Sequence, residues 1–135
     1  MSDENYKKLA REWFSKANDD LCFAQAGFKE TGIASDTCFL CHQVVEKYLK
    51  GYLTSLRIEP IRTHILSELL NACIQQAKDF MEINEDCEFL NRFYNPTRYP
   101  GGVFLDFSKE TAEHALQKAE NIVSFVKKKF IADQN

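Results

Sequence analysis

Glycine and proline are scarce in this chain, five and three among 135 residues, so there is little punctuation for a protein of many short strands and turns. No apolar run approaches the roughly 18 residues needed to cross a bilayer. The opening stretch "MSDENYKKLAREWF" scatters charges where a signal peptide would need an apolar core. The expectation is a cytoplasmic protein without membrane attachment. Positive charge is not in excess either. A formal net charge of -3 gives no bulk drive toward nucleic acid or anionic lipid, so any anion site has to be local. The five cysteines, Cys22, Cys38, Cys41, Cys73 and Cys87, are odd in number and widely spread, unlike a secreted disulfide framework. Each lies in an apolar helical pattern, which makes a small buried hydrophobe its default role.

What is present is the material of one helical core. With 44% hydrophobic and 27% charged residues, the composition is that of a packed, helix-rich domain rather than a disordered chain. The length suits a single domain over residues 1–135. From Leu9 the positions Leu9, Trp13, Ala17, Leu21, Ala24 and Phe28 recur in steps of four or three and paint one helical stripe, which Gly32 ends. Ser35 is placed to cap a second helix carrying Phe39, His42, Val45, Leu49, Tyr52 and Leu56, halted at Pro60. The link between the two is short, so they should be antiparallel neighbours. Thr63 can cap a third helix with Leu66, Leu69, Leu70, Cys73 and Ala77 inward, and Asn84 a fourth with Cys87, Leu90 and Tyr94. "NPTRYPGGVFLDF" reads as a surface loop of the length that often carries function. Ser108 then starts a last helix with Ala112, Leu116, Ala119, Val123, Val126 and Phe130 inward, ending at "KKK". No strand-length alternation or internal repeat occurs. The fold class is therefore all-α, an antiparallel up-and-down bundle of four to five helices.

Four features could carry chemistry, and each has an ordinary structural reading beside the functional one. The letters C-x-x-C-H at Cys38, Cys41 and His42 match a c-type haem attachment signature. On a helix, however, His42 points about 100° away from Cys41, and two thiols fall short of the four ligands of a structural zinc site. Core packing is expected there, with no haem, metal or other cofactor. The polar stripe Gln43, Glu46, Lys47 and Lys50 is either a solvated helix face or the cationic wall of a site. His64, in "RTHILSELL", falls at the expected first turn of the third helix, where free N–H groups favour an anion, or where a histidine simply caps. Arg98 and Tyr99 lie between two prolines in "YNPTRYP". The stiffened guanidinium can grip phosphate bidentately, or it can tie the loop down.

The order of these residues resembles a known family. Trp13, Ala17, Asp20, Leu21 and Ala24 come first, then His42, Gln43, Glu46, Lys47 and Lys50, then Thr63, His64, Leu66, Leu69 and Leu70, and finally Thr97, Arg98, Tyr99 and Pro100. Together they are similar to the HEPN domain, the higher eukaryotes and prokaryotes nucleotide-binding domain, over most of the chain. The resemblance implies a helical bundle that usually dimerises and is often encoded beside a minimal nucleotidyltransferase in toxin–antitoxin-like pairs. Many members are metal-independent ribonucleases, an activity tied to an arginine followed by a histidine four to six residues later near the fourth helix. Here neither Arg92 nor Arg98 is followed by a histidine until His114. Arg57 and His64 match the letters in the loop before the third helix, and the catalytic role is not carried over to them.

The leading expectation is a non-catalytic nucleotide-binding and interaction module. Lys47, Lys50 and Arg98 would supply charge for phosphates, His64 and Tyr99 would frame the pocket, and Gln43 and Glu46 would support it. One alternative is a ribonuclease with His64 as general base and Arg57 or Arg98 stabilising the phosphate, the only reading in which RNA is the ligand. The other is a dimeric scaffold whose polar cluster merely holds helices and loop together. A homodimer is expected in any case, because Phe14, Phe23, Val44 and Tyr48 lie beyond the single apolar stripes of the first two helices.

Overall fold

The computed structural model describes residues 2–94 and 107–134, and within them the chain folds as five α-helices with no strand. These are α1 (Asp3–Thr31), α2 (Ala34–Ser55), α3 (Leu66–Gln76), α4 (Asn84–Asn91) and α5 (Lys109–Ala132), with a 3-10 helix (Lys78–Ile83) leading into α4. The all-α bundle expected from the periodicity is what forms.

Local chemistry accounts for the ends of α1 and α5. The Ser2 hydroxyl accepts from the Asn5 N–H at 3.2 Å, and the Ser108 hydroxyl accepts from the Thr111 N–H at 3.1 Å. Gly32 closes α1 in the left-handed region, φ 68°, with its N–H donating to the Phe28 carbonyl at 2.8 Å. Three expected caps are not used. α2 begins at Ala34, two residues earlier than a Ser35 cap would put it. Thr63 accepts from the Ile65 N–H at 3.1 Å and makes a local turn. Asn84 is the first residue of α4, because the 3-10 turn before it already supplies the helical entry. α3 is capped from a distance: Asn91, at the end of α4, accepts from the Leu66 N–H at 2.7 Å. His64 consequently precedes α3 rather than sitting in its first turn.

The fold is organised around α2, which packs against α1, α3, α4 and α5. Fourteen of its twenty-two residues are buried, the mark of a central helix apolar nearly all round. That answers the surplus of apolar residues in the first two helices. Phe14, Val44 and Tyr48 are covered by the chain's own core, and only Phe23, 72% exposed, remains of the four residues offered for a dimer face.

The stripe of α1 keeps its expected register from Ala17 onward and is rotated by one position in the turns before it. Ala10, Phe14, Ala17 and Ala24 are buried, Leu21 and Phe28 are partly buried, Trp13 is half-buried and Leu9 is exposed. The reason lies at Gly51. A Cβ there would sit 2.6 Å from Phe14 Cε1 and 2.9 Å from Trp13 Cβ, so the bare glycine lets α1 lie directly on α2. Ala10, Phe14 and Ala17 face the contact, while Leu9 and Trp13 lie at its flank.

Candidate functional site

Three side chains of α2, His42, Glu46 and Lys50, follow one another at four-residue steps and share a face. His42 is fully buried. Its Nε2 lies 2.9 Å from the backbone oxygen of His64, and a carbonyl only accepts, so Nε2 carries the proton. Gln43 Nε2 donates toward His42 Nδ1 at 3.4 Å. Glu46 is 5% exposed, an unusual place for a carboxylate unless it is paired. Lys50 Nζ donates to its Oε2 at 2.9 Å, and His64 Nδ1 lies 3.1 Å from Oε1 and 3.2 Å from Oε2. Both oxygens accept only, so His64 holds its proton on Nδ1 and presents Nε2 outward. Among the described residues that nitrogen has no hydrogen-bond partner, and the His64 side chain is 51% exposed. Tyr94, past the end of α4, stacks on the His64 ring at 4.5 Å and 16° and on the His42 ring at 5.5 Å. Lys50 Nζ also lies 5.9 Å from the Trp13 ring centre, so its charge faces a carboxylate and an indole.

The arrangement therefore brings together Glu46, Lys50, His64 and, through His42, Gln43. It does not bring in Lys47, which reaches across to Asp20 of α1 and is paired there. Arg98 and Tyr99 lie outside the described residues. Arg57, the other half of the arginine–histidine letters, is paired with Asp3 and lies 5.2 Å from the Tyr6 ring centre, so it is committed to α1 while His64 faces Glu46. Sequence reasoning misses two members. His42 is readable as the first step of the row that continues in Glu46 and Lys50. Tyr94 meets His64 thirty residues away in the chain, and nothing local announces that contact.

The cysteines divide. Cys38, Cys41, Cys73 and Cys87 are buried, and burial, the largest influence on each thiol, pushes Cys41 and Cys73 far up and Cys87 to about 12. Cys22 is exposed, contrary to the expectation that all five pack inside. No group of three or more His, Cys, Asp or Glu side chains among the described residues is arranged to hold a metal ion.

Burial holds the His42 imidazole down to about 4, against the opposing pull of Glu46 and of the hydrogen bond to the His64 carbonyl. The unfolded chain therefore takes up a proton near pH 6.5 that the folded chain refuses until about pH 4. Stability contributed by neutral His42 is complete above pH 6.5 and falls as pH drops toward 4, by a total on the order of 3 kcal/mol. Urea midpoints from pH 7.5 to pH 4 should show this decline. His42→Gln, which keeps a donor for the carbonyl, should flatten it, and an unchanged acid slope in that variant would locate the proton elsewhere.

An all-helical bundle built around one central helix defines the class of fold. The chain belongs to the HEPN domain family, whose model matches residues 10–129. It is similar to the crystal structure of TT1696 from Thermus thermophilus, with 30% identity, 89% of this chain and 97% of that one covered, and a TM-score of 0.78. It is also similar to ST0689, described as an archaeal HEPN homologue, with 28% identity, coverage of 90% and 97%, and a TM-score of 0.73. A comparison with curated proteins finds no match. Among the described residues, no helix is long and apolar enough to cross a membrane.

Proposed function

We propose that the protein is a non-catalytic nucleotide-binding and interaction module in which Lys47, Lys50 and Arg98 supply charge for phosphates, His64 and Tyr99 frame the pocket, and Glu46 and Gln43 support it. The observation that carries this reading is His64 itself. One ring nitrogen is fixed by the buried Glu46 carboxylate, the ring is stacked on Tyr94, and the other nitrogen is open. With its proton on Nδ1, the open Nε2 is an acceptor, held ready for a hydroxyl or N–H of a nucleotide rather than for a phosphate oxygen. Lys47 and Lys50 are each paired with a carboxylate, Asp20 and Glu46, so both enter the proposal as cations beside the site, and Arg98 is assigned the direct phosphate contact. The proposal extends to a homodimer, to which Phe23 is available, and to a minimal nucleotidyltransferase as partner in a toxin–antitoxin-like pair.

The same geometry favours one second reading. A carboxylate accepting from Nδ1–H of an imidazole whose Nε2 faces outward is an arrangement suited to a general base, so a metal-independent ribonuclease with His64 in that role and Arg98 on the phosphate is the alternative. Thermal melts across a nucleotide panel, with and without His64→Ala and Arg98→Ala, test both. The binding module is supported by saturable stabilisation that each variant abolishes at unchanged intrinsic melting temperature. RNA cleavage lost in His64→Ala supports the enzyme. Absence of ligand stabilisation and of cleavage in the wild type leaves only a scaffold.

A further inference from the structure

The hairpin made by α1 and α2 has a hollow near its Gly32 turn, lined by Phe23, Ala24 and Gly27 of α1 and by Ile33, Asp36 and Leu40 of the facing chain. Phe23 is 72% exposed and Ile33 48%, so two large apolar side chains left to solvent stand together here. At about 250 Å3 the hollow is smaller than the roughly 300–1,000 Å3 of a small-molecule site and nearer the size of one large side chain. Its hydroxyls are already used. Thr31 Oγ1 donates to the Gly27 carbonyl at 2.7 Å and accepts from the Ile33 N–H at 3.2 Å, and Thr37 Oγ1 donates to the Ile33 carbonyl at 2.8 Å. Apart from Asp36 the walls therefore offer apolar surface, which suits a hydrocarbon side chain and not a sugar or a bare peptide group.

Gly27 is the residue that keeps the hollow open. It sits inside α1, where glycine is among the least favourable residues. Gly51 is bare because Phe14 lies against it, whereas a Cβ on Gly27 would meet nothing within 4 Å, so the packing of the bundle gives no reason for the missing side chain. What its absence preserves is the space beside Phe23. The charges round that space are of one sign. Asp36 lies on its edge, and Asp19 and Glu30 fall one turn before and two turns after Phe23 on the same side of α1. All three are exposed, with no hydrogen bond or ion pair among the described residues. Lys29, two residues past Gly27, points about 200° away from it, and Lys47 is held by Asp20. Apolar walls ringed by unpaired carboxylates fit a partner that carries an apolar side chain between cations. A two-fold contact centred on the hollow would instead set these carboxylates against their own kind, so the charge favours a cationic partner over a second copy.

We propose that this hollow docks a basic amphipathic segment of a partner protein, with a leucine-sized or phenylalanine-sized side chain seated beside Phe23, Gly27 and Leu40 and a lysine or arginine on Asp36. The surface shares no residue with the His64 cluster and stands independently of the function proposed for that cluster. The probe is a fluorescein-labelled helical peptide with leucines at four-residue steps among lysines, beside a twin in which glutamates replace the lysines. Fluorescence anisotropy with the full chain should show saturable binding of the basic peptide, weakened by added salt, and affinity for the acidic twin about tenfold lower or less. Gly27→Leu fills the hollow where nothing packs, so it should keep or raise the melting temperature while weakening the basic peptide about tenfold or more. Asp36→Lys should weaken the basic peptide and strengthen the acidic one. His64→Ala should leave both unchanged. The proposal is overturned if neither peptide binds, if both bind alike, or if Gly27→Leu binds the basic peptide as the wild type does. Sedimentation showing self-association that Gly27→Leu abolishes would also overturn it and give the hollow to a second copy.

Discussion

Tyr48→Ala is expected to destabilise the protein by about 3–5 kcal/mol, the usual cost of truncating a buried aromatic side chain. Tyr48 is fully buried at the α1–α2 contact. Its ring stacks on Phe14 at 4.8 Å and 16°, and its hydroxyl donates to Asn18 Oδ1 at 2.5 Å. Burial pushes its phenol up to about 12, so the hydroxyl remains a donor throughout the neutral range. The ring and the hydroxyl can be separated. Tyr48→Phe keeps the stack and should lose only about 1 kcal/mol, the net worth of one hydrogen bond, provided Asn18 finds water. Urea denaturation gives the answer as a shift in midpoint at constant slope. The same variant decides between two uses of this residue. Were Tyr48 part of a surface covered by a second copy, Tyr48→Ala would leave monomer stability nearly intact and change the sedimentation behaviour instead.

That choice illustrates how far the sequence reaches. The periodicity of apolar residues locates α1, α2 and α5, because each is long enough for a face to repeat several times. What it leaves open is which helix is central. The apolar surplus of α2 reads equally as a dimer face or as the middle of a bundle, and only the placement of α3 and α5 against it decides. The rotation of α1 is hidden for a related reason. Leu9 outranks Ala10 in hydrophobicity, yet the room left by Gly51 takes the Phe14 ring, and seating Phe14 there turns Ala10 inward and Leu9 and Trp13 aside. Caps formed by neighbours in sequence, such as Ser108, are legible. The cap of α3 is not, since Asn91 comes from the far end of α4.

Of the candidate site, Glu46 and Lys50 are legible as part of a polar stripe four residues apart, His42 is not picked out because it falls in the apolar stripe, and His64 stands out for its position near a helix start. Its real anchor is different. Glu46, reached across eighteen residues, fixes it instead of the free N–H groups of α3. Lys47 shows the limit of reading a polar stripe as a unit. Adjacent positions on a helix diverge by about 100°, which sends Lys47 to Asp20 while Glu46 turns to His64.

Glu46→Ala should be the most costly single change in the cluster, about 3–5 kcal/mol, because it leaves charge buried without its partner. Lys50, whose side chain is only 12% exposed, would lose its carboxylate, and His64 would lose the acceptor that holds Nδ1. The larger part of that cost belongs to the stranded ammonium rather than to the attraction itself, and this can be measured. Lys50→Met alone strands Glu46 only in part, since His64 still donates to it, and should cost less. Combined with Glu46→Leu it replaces the ion pair by apolar groups of similar size, which is often close to neutral, so the double variant should recover most of the stability lost in Glu46→Ala. Function need not return with it. With Glu46 gone, no acceptor fixes the tautomer of His64, and only the Tyr94 stack is left to hold its ring. A double variant that melts like the wild type but has lost nucleotide-dependent stabilisation would place the purpose of the Glu46–Lys50 pair in ligand recognition. One that retains full binding would show that the cluster serves only to hold α2 against the chain entering α3.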